Sequence, residues 1–165
     1  MLQQVRKLKN DSRGAAAAGI TIIEVMIVLA VAGLIMAIVF LAVPALQRNA
    51  RNSQRSADAS RVLAAVGDCL SNKNGQVTSC QSTAAASVGG YYDATRNQQL
   101  STVNIGAGVP AIPAAGTTNT FNVGYGAKCN AAGDGLDATP ATPRQYAGFY
   151  RAETQSGDTV RCIGG

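Results

Sequence analysis

The sequence predicts an α+β fold. One long N-terminal helix, first apolar and then amphipathic, packs on a small C-terminal antiparallel β-sheet domain rich in loops. Three observations predict it. The 165 residues are 47% hydrophobic but only 5% aromatic, with no Trp and three Phe, so a large core spread over the whole chain is excluded. The apolar mass is local instead: Val25 to Val43 are 19 consecutive residues without a charged or strongly polar side chain. Beyond residue 71 the character changes, with 14 Gly and four Pro and short alternating stretches in place of helical periodicity.

The first 19 residues carry Arg6, Lys7, Lys9 and Arg13 against Asp11, a net +3 of the chain's +5. A basic tip ahead of an apolar run is a topology signal, and it favours a cytoplasmic N-terminus, although Arg48, Arg51 and Arg55 follow the run. As a helix the run is roughly 29 Å long, close to the ~30 Å of bilayer hydrocarbon. The rest of the chain has too little bulk to bury such a helix. An ordinary secretory signal has an apolar region of about 7–15 residues before a small-x-small cleavage site. Here the run is longer, and Val43-Pro44-Ala45 is a weak site. The small residues Ala15 to Gly19 come before the run instead. Cutting there removes the basic tip and leaves the whole apolar helix on the mature chain.

At that junction stands Gly19-Ile20-Thr21-Ile22-Ile23-Glu24, leading into the apolar run, with Gly33 inside it. Glu24 is a carboxylate at the mouth of a membrane span, where a mid-bilayer charge costs roughly 2.5–3.5 kcal/mol on insertion scales. Over residues 14–46 the chain resembles the type IV pilin family of bacterial filament subunits. Its precursors carry a short basic leader ending in Gly, then a hydrophobic residue, Thr, two aliphatics, Glu and an unbroken apolar helix. Many members begin the mature chain on Phe where this one has Ile20. Pro44 lies a few residues later than the helix proline of the best-known members.

The resemblance implies a leader (1–19) removed by a prepilin peptidase between Gly19 and Ile20, with N-methylation of the new Ile20 amine. It also implies partnership with pilus assembly machinery. Subunits wait as single-pass proteins of the cytoplasmic membrane, then stack through their helices into a self-polymer at the cell surface. An unpaired carboxylate among apolar helices seeks a cation. The implied partner of Glu24 is the Ile20 amine of a neighbouring subunit, a pair that sets the stagger. Gly33 and Pro44 are expected kink positions, with a kink or local melting near Phe40–Pro44 because proline removes a backbone donor and clashes one turn back.

The long helix is expected over 20–71, apolar to about residue 46 and a stem from 47. Leu46, Ala50, Ala57, Val62, Leu63, Val66 and Leu70 form the stem's apolar stripe, and Ser71-Asn72-Lys73-Asn74-Gly75 supplies the stop. Residues 72–165 form the head. Strands are expected at Thr118–Tyr125, Gln145–Glu153 and Asp158–Ile163, with Gln155-Ser156-Gly157-Asp158 turning between the last two, and Gly106–Thr118 reads as loop. Tyr125, Tyr146, Phe149, Tyr150, Val160 and Ile163 are the expected sheet face against the stem. So thin a core benefits from staples, and Cys69, Cys80, Cys129 and Cys162 allow three pairings. The most local is Cys69–Cys80 with Cys129–Cys162, the second of which resembles the C-terminal disulfide loop of many pilins. Disulfides agree with export to an oxidising compartment.

The chain has no His, which removes His-based acid–base catalysis, Ser-His-Asp triads and His-ligated metals. With no CxxC either, neither an enzyme, a metal site nor a cofactor is expected. Asp134-Gly135-Leu136-Asp137 lacks EF-hand spacing and reads as a solvated turn. Gly106-Ala-Gly108 and Gly124-Tyr-Gly126 lack the third glycine and following helix of a nucleotide loop. Arg48, Arg51, Arg55 and Arg61 offer DNA phosphate contacts on a filament that takes up DNA, against the commoner reading of a solvated face or pairs with neighbours. Tyr91-Tyr92 reads as packing rather than an adhesive pair. The expected function is a structural pilus subunit serving adhesion, motility or DNA uptake. A minor pilin or a pseudopilin of a secretion or competence system is the rival within filaments. A membrane-anchored binding module that never polymerises is the rival outside them.

Overall fold

The computed structural model describes residues 19–81, 88, 92–137 and 142–164. Tyr91 and most of the leader lie outside the described residues. The chain forms two compact units, Met1–Ala42 and Val43–Gly165. Helix α1 spans Ile22–Asn72. Two short 3-10 turns, Val77–Cys80 and Ala94–Arg96, precede strands β1 (Thr102–Gly106), β2 (Thr120–Tyr125), β3 (Tyr146–Thr154) and β4 (Gly157–Gly164). The architecture is α+β, a long apolar-headed helix with a small sheet, as the sequence predicts.

Residues 22–72 are helical through both Gly33 and Pro44, so of the kink or local melting expected near Phe40–Pro44 the melting does not occur. The helix stops where the sequence asks. Asn74 (φ 52°) and Gly75 (φ 80°) take left-handed conformations, and the Gly75 amide donates to the Leu70 carbonyl at 2.7 Å, which closes the last turn. The buried face of the stem is Arg55, Asp58, Ala59, Val62, Leu63, Ala65, Val66, Cys69 and Leu70. Val62, Leu63, Val66 and Leu70 are therefore core as expected, whereas Leu46, Ala50 and Ala57 are exposed. The helix is turned so that two ionic side chains, rather than those alanines, face inward.

The sheet runs β1-β2-β3-β4. β2–β3 and β3–β4 are antiparallel, and Thr154 pairs with Gly157 across the Gln155-Ser156 turn. The pairing of β1 with β2 is parallel, so the sheet is mixed rather than wholly antiparallel. A parallel neighbour needs a crossover of a dozen or so residues. The segment 107–119 supplies it, and this is why the Gly/Pro-rich middle is long.

That crossover lies on the sheet face opposite the helix. Asn122 Nδ2 donates to the Ala111 carbonyl at 2.8 Å and Arg151 Nε to the Pro113 carbonyl at 2.7 Å. Asp158 accepts from the Gly116 amide at 2.7 Å and from Arg151. Gly124 admits the close approach, since a Cβ there would stand 2.1 Å from the Gly108 carbonyl oxygen and 2.6 Å from the Pro110 ring. On the helix side, Phe121, Val123, Tyr125, Tyr150 and Ala152 join Val62, Val66, Leu100, Val103 and Ile105 in the core, with Tyr146 and Ile163 at its margin. Phe149 and Val160, expected there too, turn to the other face: Val160 pairs with Arg151 and Phe149 with Cys162. Phe149 is buried nonetheless, on the face that the crossover covers.

Two disulfides close, Cys69–Cys80 and Cys129–Cys162, the most local of the three pairings. The first lies in the core beneath Tyr125, whose hydroxyl donates to the Cys80 carbonyl at 3.0 Å. Burial holds that phenol up at about 12, so it remains a donor at any physiological pH. The second carries residues 129–137 to the outer edge of β4, where the Cys162 amide donates to the Gly133 carbonyl at 2.8 Å and part of an edge is covered.

Candidate functional site

The candidate site is the head of α1. Thr21 precedes the first helical residue, and its Oγ1 accepts from the Glu24 amide at 3.3 Å, while its carbonyl accepts from the Glu24 and Val25 amides at 3.1 and 3.3 Å. Thr-Ile-Ile-Glu therefore has the spacing of a capping box, with Thr as the cap and Glu three residues on. Glu24 also stands in the first turn, where the helix dipole favours a negative charge. This local role, which the sequence reading did not weigh, coexists with assembly chemistry: the Glu24 side chain is exposed. Gly19 is exposed and Ile20 is 74% exposed.

From Ile22 to Leu46 the large hydrophobic side chains face outward, with Leu41 85% and Phe40 78% exposed. None of the most apolar 18-residue window, of mean hydropathy 3.1, is buried. The helix is long and apolar enough to cross a membrane, and no described segment of the chain covers this stretch. Exposed apolar patches on soluble monomers rarely exceed a few hundred Å², and this stretch is compatible with a membrane anchor.

In the stem, five charges pair inside the chain: Arg51 and Arg55 with Glu153, and Arg61 with Asp58. Arg51 reaches both Glu153 oxygens through Nε at 3.0 and 3.1 Å. Arg55, 3% exposed, bonds Glu153, the Asn52 side chain at 2.9 Å and the Thr118 carbonyl at 2.8 Å. The Asn52 amide exchanges two hydrogen bonds of 2.8 Å with the Glu153 backbone, completing the end of β3 as a neighbouring strand would. Hydrogen bonds from Arg51 and then Arg55 outweigh the cost of burial and pull the Glu153 carboxyl down to about 2. Further along, Asp58 Oδ2 accepts from three successive amides, Gln98, Gln99 and Leu100, at 3.0, 2.8 and 3.2 Å. Its Oδ1 takes Arg61 at 3.0 Å.

Arg51 and Arg55 thus join the helix to Glu153 of the head, and Arg61, half exposed, pairs with Asp58 one turn away on the same helix. The sequence reading missed Asn52, Asp58 and Glu153 as the partners. One signal was available: Asn52, Arg55 and Asp58 share a face at helical spacing with the apolar positions 59, 62 and 66. Asp134 lies in a turn closed by the Asn130 side chain at 2.9 Å, and no group of three potential metal-ligating residues occurs among the described residues. Tyr92 packs at the edge of the core, donating to Asn97.

No family model, curated protein or solved structure matches the chain.

Proposed function

We propose that this chain is a type IV pilin-like subunit, cut between Gly19 and Ile20 and polymerised through the apolar half of α1. One observation carries the reading: an outward-facing apolar helix with no cover among the described residues begins at a capped Thr21/Glu24 turn immediately after an exposed Gly19-Ile20 pair. A membrane anchor alone accounts for the helix but not for the placement of small residues before it rather than after it. Polymerisation accounts for both, since the helix is then retained and passes from lipid to the helices of its neighbours. In that reading the Ile20 amine is the N-methylated terminus and the partner of Glu24 on the next subunit. Assembly machinery and the subunit's own copies are its partners, and the assembled chain stands at the cell surface. The paired stem and stapled head support the role as well, because they keep one shape while the solvent around the helix changes.

N-terminal sequencing of the chain recovered from cell membranes and from sheared surface material tests the reading. The expected terminus is Ile20, carrying a methyl group. A terminus at Met1, or one at residue 46 after removal of the helix, overturns it.

A further inference from the structure

Asn74 and Gly75 form the only Asn-Gly pair of the sequence, and they stand at the turn that ends α1. Glycine is needed there. Its φ is 80°, and a Cβ would stand 3.3 Å from the Arg144 Nε. The cap that stops the helix therefore sets the least hindered kind of backbone nitrogen next to an Asn side chain. Asn74 is exposed and lines, with Ser71, Gly75 and Arg144, an open cleft of about 360 Å³, so water reaches its amide. The Gly75 N–H, by contrast, is donated to the Leu70 carbonyl at 2.7 Å, and the Lys73 amide closes the same turn on the Cys69 carbonyl at 2.9 Å. Cys69 and Cys80 are fully buried and joined, which ties both ends of the segment to the core.

We propose that Asn74 is a site of spontaneous self-modification to aspartate and isoaspartate, held in check by the cap of α1. The Gly75 nitrogen, its proton taken by a solvent base, attacks the Asn74 side-chain carbonyl carbon. The new C–N bond closes a five-membered succinimide, the bond to Nδ2 breaks, and ammonia leaves with a proton from solvent. One water then adds to either imide carbonyl and opens the ring to aspartate or isoaspartate. The balance is one water in and one ammonia out, with no change of oxidation state and no enzyme. In the closed cap the nitrogen is not available as a nucleophile, because its N–H is engaged and meets solvent base only when the turn opens. Local opening of a helix end takes less free energy than global unfolding, so the site records how often the last turn of the stem comes apart. Isoaspartate lengthens the backbone between stem and head by one methylene, so the original cap geometry is lost for good.

The test uses the full chain in detergent with both disulfides intact, incubated at mildly alkaline pH either folded or in urea. The peptide that carries residue 74 is read for the amide-to-acid mass shift and, by enzymatic methyl transfer, for isoaspartate. In urea Asn74 should be the first asparagine of the chain to convert, and in the folded chain its conversion should be at least about tenfold slower. Lys73→Pro removes the amide donor to Cys69 and should raise the folded rate, relative to the same variant in urea, by about tenfold. Lys73→Gly keeps the donor and only lowers helix propensity, so it should raise that ratio in the same direction by less. A thermal midpoint checks that each variant is folded. Absence of isoaspartate at residue 74 in urea overturns the site. A wild-type chain that converts as fast folded as in urea, or a folded rate unmoved by both Lys73 substitutions, overturns the cap as its gate.

Discussion

Asp58 is a single residue on which a distant segment depends. Its carboxylate receives three consecutive amides of residues 98–100 across 40 or more positions of sequence and is 1% exposed. Asp58→Ala leaves those donors without an acceptor in a place water reaches poorly, which should cost about 3 kcal/mol, measured as a lower urea midpoint of the detergent-solubilised chain. Glu153 acts through pH. Its carboxyl is held at about 2, below the usual carboxylate range, first by the Arg51 hydrogen bonds and then by Arg55. A depressed acid stabilises fully above its unfolded value and loses that contribution as pH falls toward the folded one. The urea midpoint should therefore fall as pH drops from about 5 toward 2. Glu153→Gln should be less stable at pH 7 and show a shallower fall. Asp158 leaves a residual slope, because the Gly116 amide and Arg151 depress it in the same sense.

Among the elements, the helix and the β3–β4 hairpin were legible and β1 was not. The helix announces itself through an apolar run and a Gly75 stop, and the hairpin through alternation around a Gly-containing turn. β1 is five residues, Thr-Val-Asn-Ile-Gly, with only Val103 and Ile105 turned to the core, too short to separate from loop by pattern. Its parallel pairing with β2 was beyond reach for a further reason: pairing direction is set by where the 107–119 crossover travels, a non-local matter. The disposition of Phe149 and Val160 failed likewise, since one residue of register moves a whole strand to the other face. Gly124 is the point at which the crossover meets the sheet. Gly124→Ala drives a methyl into backbone at Gly108 and Pro110, which should cost about 1–3 kcal/mol. The expected signature is a lower thermal midpoint together with faster proteolysis within 107–119.

For the molecule as a whole, the proposed function rests on Glu24. If its carboxylate sets the stagger between subunits, Glu24→Leu or Glu24→Val should leave the chain in the membrane fraction and leave its two disulfides intact, yet sharply reduce filaments sheared from cells. Normal filament yield would refute that role and leave the carboxylate only its place in the first helical turn. By itself the sequence determined where the apolar surface lies, where the long helix ends and which cysteines are near neighbours. Each of these is written in a contiguous run or a short spacing. Tertiary structure alone decided that Arg51 and Arg55 close on Glu153, that Asp58 gathers residues 98–100, and that a thirteen-residue crossover roofs the sheet. Those contacts join positions tens of residues apart. A charge or a glycine carries no local mark of the partner that folding brings to it.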